Sequence, residues 1–319
     1  MKIIKSSSLL WKDLCIPPTE LRLNTLRCGQ SFRWKQMNDH WTPTTILFGN
    51  HDSHNKEQEQ STITELRDYF QLDKVSLKES IQFKGIRILR QDPWENLISF
   101  ICSSNNNITR ISQMIHKLCV QFGKKVAVFE DEAFYDFPSL QELLVPNLES
   151  ILRDLGFGYR ARYIAHTANK IKLDHPELGE TWLGTLRNRP YLEAKKTLME
   201  FQGVGPKVAD CVCLMSLDHT ESIPVDTHVW QIALKEYGFN KKSSTKTLNS
   251  QLYNEVGDHF RLLFGKYSGW AHSVLFTADL KTFETTTTKR KSTISVTEKE
   301  KEKVVIIKKR RVKSKDAVV

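Results

Sequence analysis

Apolar and polar residues divide the chain into three stretches of different pattern. From Gln91 onward the pattern is mainly helical. "QDPWENLISFICSS", with Pro93 suited to a first turn, predicts a helix that Asn105 to Asn107 separate from the next, "ITRISQMIHKLCVQFG". Gly123 is expected to stop that second helix. "SLQELL", "NLESILRDLGFG", "RARYIAHTANKIKL", "YLEAKKTLMEF" and "THVWQIALKEYG" predict further helices. Before Gln91 the pattern is mixed. "GQSFRWKQ" and "HWTPTTILFG" have the aromatic and β-branched content of strands, "NHDSHNKEQEQST" reads as a polar loop, and "TITELRDYFQLD" as a short helix opened by a threonine cap. After residue 284 aromatics vanish and charge is dense, which predicts disorder. The expected architecture is α+β and mostly α. A small N-terminal antiparallel sheet domain (1–90) precedes a helical core (91–284) and a disordered basic tail (285–319).

The junction "QGVGPK" carries the first chemical signal. Gly203 can supply the left-handed conformation that ends a helix, and Val204 can plug the core. Gly205 allows close approach of the backbone, and Pro206 opens a new helix. The second helix of such a hairpin presents free N–H groups and a positive dipole end, a ready phosphate site. Lys207 is unfavourable as a charge at that end, which suits it to work as a nucleophilic amine; an ordinary surface lysine is the plainer alternative. Nineteen residues on, Asp226 in "PVDTH" directly precedes a helical pattern and is a favoured N-cap. A capping carboxylate is held rigidly. An amine and a fixed carboxylate together suit cleavage of an N-glycosidic bond, the carboxylate stabilising sugar cation charge and helping to deprotonate the lysine.

Charge adds less than the net +10 suggests. Residues 285–319 hold 12 Lys/Arg against 4 Asp/Glu, so +8 lies in the tail and only +2 in the preceding 284 residues. "KRK" and "KKRRVK" in that tail are lysine- and arginine-rich runs of the kind that direct nuclear import. A nonspecific phosphate-binding tail is the alternative. The N-terminus has too short an apolar segment for a secretory signal, while the absence of acids before Asp13 is compatible with weak mitochondrial targeting. No apolar run approaches a membrane span. The six cysteines show no four-ligand metal spacing, which favours reduced thiols and no metal cofactor.

"QGVGPKVADCVCLM" with "PVDTH" resembles the helix–hairpin–helix DNA glycosylase superfamily. "GQSFRW", "RQDPWENLISFICSSNNNITRI", "LGFGYRARY" and "YSGWAHSVLF" narrow the resemblance to the 8-oxoguanine DNA glycosylases of eukaryotes. Matches run in one order from about Cys28 to Asp279. The resemblance implies a bifunctional glycosylase and lyase excising 8-oxoguanine opposite cytosine, without a cofactor, as a monomer on double-stranded DNA containing an oxidised purine. Lys207 would form a Schiff base with the deoxyribose, Asp226 would assist, and β-elimination would nick the strand. The base must first leave the duplex. Gly29 matches the glycine whose carbonyl accepts the N7 proton that 8-oxoguanine has and guanine lacks. Cys211 and Phe276 match residues sandwiching the flipped base, although their periodicity alone reads as core. His228 and Asp279 match a pair positioning the nucleotide's phosphate and the lysine's surroundings. Asn105, Arg110 and Arg160 match readers of the unpaired cytosine, and Tyr159 the wedge in the stack. Gly203 and Gly205 match the hairpin's DNA contact.

Two features depart from the family. The glutamine that reads the base's Watson–Crick edge is replaced by His272, which donates and accepts at one nitrogen each and loses a two-point amide contact. The stretch from Trp41 to Gln91 is shorter than the family's sheet domain, through divergence or an incomplete gene model, which predicts missing strands. A glycosylase for another oxidised or alkylated base, and a noncatalytic DNA-binding module, are the competing readings. An iron–sulfur relative is excluded by the missing cysteines.

Overall fold

A computed structural model describes residues 85–129, 132–239 and 247–279 and, ahead of them, 2–3, 12–13, 23–26, 28–37, 40–43, 64–65 and 67–72. Backbone contacts group residues 1–277 into one unit and 278–319 into another. The basic tail and the polar loop at 50–62 lie outside the described residues.

The chain is α+β and mostly helical. Among the described residues the strands form three two-stranded antiparallel sheets. They are β1 (Lys2–Ile3) with β2 (Lys12–Asp13), β3 (Trp34–Met37) with β4 (His40–Pro43), and, within the helical part, β5 (Lys125–Phe129) with β6 (Glu132–Tyr135). The last hairpin falls where the sequence pattern suggests no strand. Residues 64–65 and 67–69 are helical, inside the short helix expected there.

The helices are α1 (Pro93–Cys102), α2 (Ile108–Phe122), α3 (Leu140–Leu143), α4 (Leu148–Asp154), α5 (Arg160–Asp174), α6 (Trp182–Thr185), α7 (Tyr191–Leu198), α8 (Pro206–Ser216), α9 (Thr227–Glu236), α10 (Ser250–Phe264) and α11 (Ser268–Asp279). All ten residues of α1 are buried, and it packs extensively against α8. Asp92 caps it by accepting from Glu95 N–H at 2.9 Å, with Pro93 in the first turn. Asn107 caps α2 in the same way through Arg110 N–H at 3.0 Å. Gly123 does end α2, but not by a left-handed turn: its backbone is extended (φ −79°). Glycine is required there because a Cβ would stand 2.0 Å from the Asp136 carbonyl oxygen.

At the α7–α8 turn Gly203 adopts φ +83°, and a Cβ would lie 2.3 Å from a ring carbon of Tyr163. Val204 is buried, and Pro206 takes the first helical position. Two apolar clusters result. The larger draws on α1–α8 with Phe32, Ile88 and Trp270. The smaller joins Ile223, Val225 and Val229 to Leu252, Tyr253, Val256 and Phe260 of α10. Each fully buried Leu, Ile or Val contributes about 1.5–3 kcal/mol.

Gly203→Ala is expected to cost about 2 kcal/mol or more, since an alanine at that φ is strained and also meets Tyr163. Gly205→Ala, with ordinary φ −89° and open space beside its Cα, is expected to cost less than about 1 kcal/mol. Urea midpoints of the two variants at unchanged m-value check both.

Candidate active site

One cavity of about 40 Å³ lies against the loop that connects α8 to α9. Its wall comes from four places: Cys28, Gly29 and Gln30; Phe100 of α1; Lys207, Cys211 and Met215 of α8 with Pro224 and Asp226 beyond; and His272, Ser273 and Phe276 of α11.

Lys207, half-buried, is the second residue of α8. Gly205 caps that helix without a side chain, so no side-chain acceptor covers its first turn. The lysine Nζ sits 5.4 Å from the centre of the Phe100 ring, a cation–π distance. One turn on, the buried Cys211 thiol is pushed up to about 11 by burial, with the Lys207 charge opposing. It is therefore a neutral wall at pH 7, not a thiolate. Asp226 accepts from Val229 N–H at 2.9 Å through Oδ1, so the expected N-cap is present. Lys207 and Asp226 share the cavity, but no ion pair joins them.

His272 is 7% exposed, and neither ring nitrogen has a hydrogen-bond partner. Burial pushes its pKa down to about 4; the Asp226 carboxylate and the nearby Pro224 carbonyl favour protonation, and the Lys207 charge opposes it. At neutral pH it is an uncharged ring with one donor and one acceptor inside the cavity. Phe276 lies near it, ring centres 6.1 Å apart and planes at 27°.

Gly29 has φ +79°, which a side chain rarely adopts. Its carbonyl accepts no hydrogen bond from the described residues. The next residue, Gln30, fixes this wall. Its side-chain amide donates to the Arg87 carbonyl at 2.8 Å and accepts from Leu89 N–H at 3.0 Å, while its own carbonyl accepts from the Gln91 amide at 2.9 Å.

Other expected residues gather elsewhere. Asn105 has a left-handed backbone, φ +48°. The Ser104 carbonyl beside it accepts from the Tyr159 hydroxyl at 3.0 Å and from Arg160 Nε at 3.1 Å and Nη2. Arg160 Nη2 also reaches the Asn105 carbonyl at 3.1 Å, and the guanidinium lies 4.5 Å from the centre of the Tyr159 ring. Arg160 is buried and is not a solvated surface charge. Arg110 is exposed on the first turn of α2. His228 is exposed on the first turn of α9 and is not part of the cavity wall. The side chain of Asp279 lies outside the described residues.

Sequence reasoning missed Cys28, Gln30, Phe100, Met215, Pro224 and Ser273. Gln30 had a signal, since it follows Gly29 in the same motif. Phe100 had none that separates it from the other buried residues of α1.

The profile described as "HhH-GPD superfamily base excision DNA repair protein" matches residues 98–256. The chain is 38% identical to an N-glycosylase/DNA lyase of Saccharomyces cerevisiae, covering 84% of this chain and 85% of the relative. It is 36% identical to the N-glycosylase/DNA lyase OGG1 of Arabidopsis thaliana, over 88% and 83%.

The chain belongs to the HhH-GPD superfamily.

This enzyme is a DNA N-glycosylase/DNA lyase of base excision repair. Its fold is similar to that of a Clostridium acetobutylicum 8-oxoguanine glycosylase/lyase solved with double-stranded DNA containing cytosine opposite 8-oxoguanine. That likeness has a TM-score of 0.68 and 26% identity over 87% of this chain and 97% of that one. Its five described cysteines are all free.

A depressed histidine pKa has a sign. Between the unfolded value near 6.5 and the folded value near 4 the unfolded chain binds more protons, so stability is lost as pH falls through that window. Urea midpoints of the wild type should drop from pH 7 to pH 5, and His272→Gln should remove part of that drop.

Proposed function

We propose that the enzyme excises 8-oxoguanine paired with cytosine and then nicks the strand by β-elimination. The observation that carries this reading is the single cavity in which Lys207, Asp226, Cys211, Phe276 and Gly29 face one another across more than 240 residues of sequence. The Clostridium neighbour's complex supports the substrate class.

In this reading the lysine amine attacks the sugar C1′ as the N-glycosidic bond breaks, and the base leaves with the bond's electron pair. The amine loses its proton, and the sugar ring opens to an iminium. Loss of a C2′ proton then expels the 3′ phosphate, and water releases the lysine. Asp226, held by its cap bond, stabilises positive charge on the sugar. Gly29 presents its carbonyl to the N7 proton of the oxidised base; guanine would place acceptor against acceptor, an unmet pairing that costs about 1–3 kcal/mol. The cavity holds only about three waters' worth of space, so the extruded base must widen it on entry.

Asn105, Arg110 and Arg160 face the unpaired cytosine in this reading, with Tyr159 as the wedge. Arg160 keeps Nη1 for that purpose, its other nitrogens being bonded to the Ser104 and Asn105 carbonyls. Gly203 and Gly205 lead the strand to the open first turn of α8. His228, on the exposed first turn of α9, is assigned to the nucleotide's phosphate. The enzyme acts as a monomer on duplex DNA, and "KKRRVK" directs it to the nucleus. Another oxidised or alkylated base is the reading that His272 favours, because its ring offers one donor and one acceptor in place of an amide pair.

Borohydride trapping on an 8-oxoguanine:cytosine duplex tests the proposal. An adduct should form with the wild type and be absent in Lys207→Gln; an adduct confined to other lesions would replace the substrate. His272→Ala is expected to slow base excision about tenfold while leaving nicking of abasic-site DNA unchanged, as measured in single turnovers. Gly205→Ala should weaken duplex binding despite its small effect on stability, as measured by salt-dependent titration.

A further inference from the structure

Three residues beyond Lys207 on α8, Asp210 is fully buried. Its Oδ1 accepts from the Tyr191 hydroxyl at 2.6 Å and the Ser222 hydroxyl at 3.0 Å. Its Oδ2 accepts from Lys195 Nζ at 2.8 Å and from the Tyr253 hydroxyl. The donors arrive from α7, from α10 and from the α8–α9 loop, so one carboxylate gathers three elements. The Tyr253 oxygen also accepts the Val225 N–H at 3.3 Å and lies 3.3 Å from the Ile223 carbonyl. Val225 immediately precedes Asp226. A single hydroxyl thus links the helix that carries Lys207 to the backbone that carries Asp226.

Stability alone is a weak reason for such a cluster. A buried ion pair replaced by apolar groups of similar volume often leaves a protein as stable or more so. What polar contacts add is defined geometry, and the amine and carboxylate need it because nothing joins them directly. Burial and the Asp210 charge push both phenols well above the usual tyrosine range, so each remains a donor.

We propose that Asp210 and Tyr253 are positioning residues that fix the separation of Lys207 from Asp226 through the hydroxyl shared with Val225 N–H. Ser222 is the second link, its hydroxyl lying between the Asp210 side chain and the Asp210 carbonyl at 2.9 Å. The inference rests on the reading that Lys207 and Asp226 carry the chemistry.

Three full-length variants test it: Tyr253→Phe, Tyr191→Phe and Ser222→Ala. Each is assayed for single-turnover trapping on the 8-oxoguanine:cytosine duplex at saturating enzyme and for affinity in a Lys207→Gln background. Tyr253→Phe should slow trapping about tenfold or more with little change in affinity. Tyr191→Phe removes a bond to the same carboxylate without touching Val225; it should show a comparable fall in melting temperature but trap within about twofold of wild type. A Tyr253→Phe rate within about twofold of wild type overturns the inference, as does equal slowing in both tyrosine variants or affinity falling in step with rate. Should Tyr253→Phe fail to fold, Ser222→Ala decides, because it leaves the aromatic core intact. It should slow trapping about threefold or more, and an unchanged rate overturns the inference. Persistent trapping in Lys207→Gln would instead remove the nucleophile assignment, whereas a dead Lys207→Gln beside a fast Tyr253→Phe removes only the positioning role.

Discussion

The left-handed turn at Gly203, seated against the face of Tyr163, sets the direction in which α8 leaves the hairpin. Every group contributed by that helix follows from it. Lys207 emerges on the first turn beside Phe100, Cys211 lies one turn further on the same face, and Asp210 is fully buried in the protein. An error in this turn would move all three together. The turn is made of a residue that tolerates the backbone and a ring that leaves no room for anything larger.

Dehydration governs the chemistry of the cavity. Cys211 and His272 are both neutral because burial disfavours their charged forms, with the nearby charges only modifying that result. The cavity therefore contains one amine, one carboxylate and otherwise uncharged walls. Such an environment suits a reaction in which charge appears on the sugar, since few competing ions surround it.

Much of this was legible in the sequence, though unevenly. The cap at Asp226 and the helix start at Pro206 follow from local rules that need only neighbouring residues. The convergence of Gly29 and His272 was available only through resemblance, because no local pattern reports which distant segments meet. Gly123 illustrates a subtler gap. The sequence marks it as a helix end, but its purpose is the approach of the Asp136 carbonyl, a contact made by a hairpin that the pattern did not suggest. Arg160 illustrates another. A charge on a helix reads as solvated until the carbonyls that receive it are known. The Asp210 cluster was invisible because its members are spread over more than sixty positions with no repeating interval.

Gln30 offers its amide to residues 87 and 89 much as a neighbouring β-strand would offer its backbone. One side chain thereby does the job of a missing ladder rung. Gly29, next to it in the chain, is thereby tied to the segment that runs into α1. Part of the cavity wall is thus set by a side chain that copies the bonding of a strand, without a strand at that position.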